Sequence, residues 1–61
     1  MPTVIELERP AQLPTTHRYW VVRADTWDAA RAQFTARYPH YAPDSVYHLG
    51  SYWYFPMEWA R

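Results

Sequence analysis

Val46-Tyr47-His48-Leu49-Gly50-Ser51-Tyr52-Trp53-Tyr54-Phe55 is the stretch on which the fold of this chain turns. Aromatic and β-branched residues flank the chain's single glycine on both sides, a composition suited to strands. Gly50-Ser51 fits the two-residue loop of a type II′ hairpin, whose first central position requires a positive φ. In that register Leu49 pairs with Tyr52 and Tyr47 with Tyr54 on one face, while His48 pairs with Trp53 and Val46 with Phe55 on the other. The rival reading is one long strand with a glycine bulge, which would redistribute these side chains between the faces.

Moving toward the N-terminus, the spacing predicts a helix over 26–38. Asp25 or Thr26 caps it, and Asp28 sits in the first turn, where a negative charge suits the helix dipole. Trp27, Ala30, Phe34 and Tyr38 form one apolar stripe. Pro39 ends the helix and disfavours helical geometry at Tyr38. The clearest strand covers 17–24, His-Arg-Tyr-Trp-Val-Val-Arg-Ala. A shorter alternation places a first strand at 3–9, with Ile5 and Leu7 against Glu6 and Glu8. Residues 10–16 and 40–45 read as loops, and 56–61 as a tail carrying Trp59.

These elements add up to an α+β domain spanning 1–61 in the order ββαββ. The expected architecture is an antiparallel sheet of three or four strands with one helix packed on one face. The helix stripe should cover Trp20, Val22, Val46, Trp53 and Phe55. Tyr19, Val21, Tyr47, Leu49, Tyr52 and Tyr54 are then expected on the opposite, uncovered face.

Composition narrows the function. The chain has 61 residues, no Cys, no Lys, and six Arg against six Asp plus Glu. A neutral chain lacks the basic footprint of a phosphate-gripping protein. Single-stranded nucleic-acid binding, by stacking on tyrosines with help from Arg18, Arg23 or Arg31, is therefore the weaker alternative. The lone glycine excludes a Gly-rich phosphate loop, and Ser45 and Ser51 lack a nucleophile-elbow context. His17, His40 and His48 match no zinc spacing; they read as solvated loop or strand imidazoles. A small enzyme or metal-binding domain is the least favoured reading, because so short a chain can hardly enclose a deep cleft. No cofactor and no metal are expected.

Residues 1–9 carry acids where a signal peptide has a basic region and an apolar run. The apolar stretches are too short to span a bilayer. A cytoplasmic location without membrane contact is the expectation.

What remains is an aromatic surplus: six Tyr, four Trp and two Phe. Tyrosine suits recognition surfaces because it is amphipathic and loses little rotamer freedom on binding. The chain is therefore expected to be a non-catalytic protein-interaction module: a small regulator, inhibitor or accessory subunit, of the sort associated with phages and mobile elements. It would bind a protein partner, or a second copy as a homodimer, through a tyrosine-rich sheet face or a strand edge. The candidate partner-binding residues are Tyr19, Tyr47, Leu49, Tyr52, Tyr54 and Trp59. Trp59 has two readings, capping the core or anchoring a partner, with capping slightly preferred.

Overall fold

In the computed structural model Gly50 has φ +60°, and no other described residue has a positive φ. Ser51 is thus on the negative side, which matches a type II′ turn and excludes type I′. The structure describes residues 2–59, and at 58 and 59 the backbone alone. In chain order come β1 (Thr3–Glu6), a short 3-10 turn (Pro10–Gln12), β2 (His17–Arg23), α1 (Trp27–Arg37), β3 (Ser45–Leu49) and β4 (Tyr52–Trp59). β3 and β4 pair antiparallel, Tyr47 with Tyr54, His48 with Trp53 and Leu49 with Tyr52. That is the hairpin register read from Gly50.

The helix begins at its cap. The Thr26 hydroxyl accepts a hydrogen bond from the Ala29 N–H at 3.2 Å, satisfying one of the donors a helix start leaves open. Its other end closes at Tyr38, whose N–H donates to the Phe34 carbonyl at 2.8 Å, immediately before Pro39. The buried residues of α1 are Ala30 and Phe34. They pack with Val22, Val46, Trp53 and Phe55 to form the core, and Trp27, Tyr38 and Met57 press against its margin. At its centre Phe34 stacks on Phe55, ring centroids 4.2 Å apart and planes 7° from parallel. Trp27 adds a second stacked ring, 5.8 Å from Phe55.

The sheet departs from expectation in being mixed rather than antiparallel. Its strand order is β1-β3-β4-β2, and β1 lies parallel to β3, Val4 beside Val46 and Ile5 beside Tyr47. β2 pairs antiparallel with β4, so β1 and β2 occupy opposite edges and run in the same direction. Residues 7–16 must therefore cross three strand spacings, about 14 Å. Ten residues reach at most ~33 Å when extended, so the crossing is well within their span.

β1 ends at Glu6 rather than at Arg9. The N–H groups of Glu8 and Arg9 turn to the side-chain oxygen of Gln12, and Pro10 opens the 3-10 turn. β4 runs on past Phe55 to Trp59, where a tail was expected. Proline is tolerated inside this central strand because two irregularities meet there. The β2–β4 register slips between Arg18 and Tyr19, and the paired β3–β4 residues stop at Tyr47–Tyr54. The missing N–H therefore costs no ladder bond. The Pro56 carbonyl accepts from the Tyr41 hydroxyl at 2.7 Å. No helix among the described residues is long and apolar enough to cross a membrane.

Candidate functional site

Strand alternation assigns every sheet residue to a face. Trp20, Val22, Val46, His48, Trp53 and Phe55 lie on the helix side. Tyr19, Val21, Tyr47, Leu49, Tyr52 and Tyr54 share the other face, together with Ile5. That face is not left open, because the 7–16 crossover lies over it. Leu7 is buried although it is no part of the helix-side core. Leu13 and Pro14 are half-buried, and the Tyr19 hydroxyl donates to the Pro14 carbonyl at 2.7 Å. Tyr19 meets Tyr47 edge-on at 5.9 Å and Tyr54 at 6.4 Å. Tyr19, Tyr47, Leu49 and Tyr54 are thus half-buried, and of the sheet-face candidates only Tyr52 stands well out, at 45% exposure. The expected tyrosine wall is largely the floor of a second, smaller apolar layer. The Trp59 side chain lies outside the described residues.

Burial pushes the Tyr19 phenol above its ordinary value of 10.0, and the neighbouring Tyr47 adds to the rise. The folded chain therefore holds this proton more tightly than the unfolded chain. Its contribution to stability is complete below about pH 10 and is lost as the pH rises through the folded-state value. Urea midpoints should fall on going from neutral to strongly alkaline solution. Tyr19→Phe should lower the midpoint at neutral pH, through loss of the bond to Pro14, and flatten the alkaline fall. An equally steep fall in the variant would assign the alkaline loss to other groups.

Other exposed large apolar residues border the edges of the sheet. On the two outermost strands, Val4 and Ile5 of β1 are 38% and 37% exposed, and Trp20 and Val21 of β2 are 37% and 49% exposed. Each pair presents one side chain on either side of its edge. Sequence reasoning placed Trp20 under the helix and Val21 on the tyrosine face, missing that both border an edge. The signal that could have found them, strand order, is not carried by the alternation of either strand.

β2 is the longer edge, seven residues without a proline. Its hydrogen-bonding direction follows from one contact. The Ala24 N–H donates to Ser51 O at 2.9 Å, toward β4. By alternation Val22 and Trp20 also turn their backbone groups to β4, and Tyr19, Val21 and Arg23 turn theirs outward. The helix reaches one of these, Gln33 Nε2 donating to Arg23 O at 3.4 Å. Trp20 is held in place beside the edge by Tyr38, edge-on at 5.4 Å, and by the Arg37 guanidinium, 5.7 Å above its ring. Arg18 and Arg23 are exposed on the same strand.

The imidazole singled out in the hairpin is committed internally. His48 Nδ1 lies 2.9 Å from Glu6 Oε2 and Nε2 lies 2.6 Å from Gly50 O, while the ring stacks on Trp53 at 3.8 Å. It ties β1 to the hairpin tip. No protein-family model, characterised protein or solved structure compared with this chain matches it.

Proposed function

We propose that this chain is a non-catalytic protein-interaction module that receives an extended segment of a partner protein along the free edge of β2. One observation carries the reading: β2 is an outermost strand whose outward backbone groups at Tyr19 and Val21 are flanked by exposed Trp20 on one face and Val21 on the other. Natural edges are usually blunted by shortness, proline, a bulge or inward charge, and the middle of β2 has none of these. An added strand would gain main-chain hydrogen bonds, each worth about 0.5–1.5 kcal/mol net, and would cover both apolar side chains. Arg23, with Arg37 above Trp20, favours a partner strand that alternates apolar with acidic residues. The same charges disfavour pairing with a second copy, because like charges would gather along the shared edge.

Selection from a random-peptide display library tests this. Enriched peptides should be extended, apolar and acidic in alternation. Val21→Pro should weaken their binding by about tenfold or more, the equivalent of one or two lost bonds. The variant removes an N–H that the protein's own ladder does not use, so its folding is expected to persist. Peptides that bind wild type and variant equally would place the site elsewhere. A dimer in light scattering that Val21→Pro dissolves would make the partner a second copy.

A further inference from the structure

At the end of the tyrosine face remote from the hairpin tip lies a cleft of about 400 Å³, within the ~300–1,000 Å³ typical of small-molecule sites. His17, Tyr41, Asp44, Ser45, Tyr47 and Met57 contribute to its lining, and none of residues 7–16 does. It lies at this end of the sheet beyond the crossover, between Ser45 and Tyr47 of the tyrosine face and Tyr41 and Met57, which pack at the margin of the helix-side core. Ser45 and Tyr47 are half-buried and, by alternation along β3, point to the same side.

The polar groups here are left over by the fold. The hydroxyls of Tyr19 and Tyr41 are spent on the carbonyls of Pro14 and Pro56. By contrast, among the described residues no hydrogen bond or ion pair occupies the Asp44 carboxylate or the hydroxyls of Ser45 and Tyr47. Asp44 engages the fold through its backbone, its carbonyl accepting from the Thr3 N–H at 3.0 Å. Among the described residues no arginine lines the cleft, and Asp44 is the one carboxylate. The unspent groups are thus three oxygen acceptors, one of them anionic, next to the rings of Tyr41 and Tyr47 and the thioether of Met57.

We propose that this cleft binds a small alkylammonium ion, independently of the β2 edge. The ammonium N–H groups donate to the Asp44 carboxylate and to the Ser45 and Tyr47 oxygens. The tyrosine rings offer their negative faces to the cation, and Met57 covers the alkyl stem. An anion would meet the Asp44 carboxylate and, among the described lining residues, no arginine. A neutral alcohol of the same shape would leave the carboxylate unpaired.

Titration with n-butylammonium chloride, followed by amide chemical shifts, tests this, with n-butanol and sodium butyrate as isosteric controls at equal ionic strength. Saturable shifts centred on Asp44, Ser45 and Tyr47 are expected for the ammonium alone. Asp44→Asn should weaken binding about tenfold, as loss of one charge-assisted bond does, while the thermal midpoint stays unchanged because that carboxylate has no partner among the described residues. Tyr47→Phe should weaken it by a smaller factor. Non-saturating shifts, equal binding of butanol, or an Asp44→Asn variant that binds as well as wild type would overturn the proposal.

Discussion

Replacing Phe55 with alanine is expected to leave the chain unfolded at room temperature. Phe55 is 1% exposed, lies between Phe34 at 4.2 Å and Trp27 at 5.8 Å, and pairs across the sheet with Trp20. It sits in a central strand and stacks on two rings of the helix stripe. Phe→Ala in a core costs about 3–5 kcal/mol in lost burial and residual cavity. A chain of 61 residues has ~3–9 kcal/mol to lose, at roughly 0.05–0.15 kcal/mol per residue. The neighbours are rings stacked face to face, and rings cannot flow into a hole as a Met or Leu can, so a value at the high end is expected. Circular dichroism should show loss of the aromatic signal without denaturant. A cooperative melt within about 1 kcal/mol of wild type would mean that the stack is not the core's keystone.

Trp53→Ala is expected to have the second-largest effect, about 3–5 kcal/mol on the same scale, but for a different mixture of reasons. The indole is 5% exposed, lies 5.7 Å from Trp27 and carries the His48 ring at 3.8 Å. Its N–H donates to the Ala24 carbonyl at 2.9 Å, fastening the end of β2 to β4 just before the helix starts. Trp53→Phe separates the two contributions. It keeps an aromatic ring in the slot and forfeits the hydrogen bond, so a loss of about 1–3 kcal/mol is expected. Urea midpoints at fixed m-value report both. If the phenylalanine variant were as stable as wild type, the bond to Ala24 would be idle.

The hairpin and the helix could be read from the sequence because each rests on local chemistry. Gly50 is the one residue able to take φ +60° without strain, and fixing that turn fixes the whole β3–β4 register. Thr26, the Trp27–Ala30–Phe34 stripe and Pro39 mark α1 from both ends. Neither the place of β1 nor the fate of the tyrosine face was legible. Alternation over residues 3–8 is the same for a strand that hairpins onto β2 and for one that crosses to the far side of β3. Pro56 read as the end of a strand, since proline inside a central strand is tolerated only where a bulge or the end of pairing coincides with it, and that is a tertiary coincidence. A hint of the crossover was present in Leu7 and Leu13, two apolar residues bracketing a segment that reads as loop. An apolar residue in a loop needs something to cover, and here it covers tyrosines.

That misreading moved the candidate site. With the helix on one face and the crossover on the other, four of the six candidate residues are half-buried. Surface for a partner is then found at the rim, where Trp20 and Val21 straddle the β2 edge.

Amide hydrogen exchange on the dilute free chain tests the openness of that edge most directly. Val22 and Ala24, bonded into β4, should be protected, while the amides of Tyr19 and Val21 should exchange at nearly the rate of an unstructured peptide. Addition of a selected peptide should slow both. Protection of Tyr19 and Val21 in the free monomer as strong as that of Val22 would mean that the edge is already occupied, contradicting the proposed mode of binding.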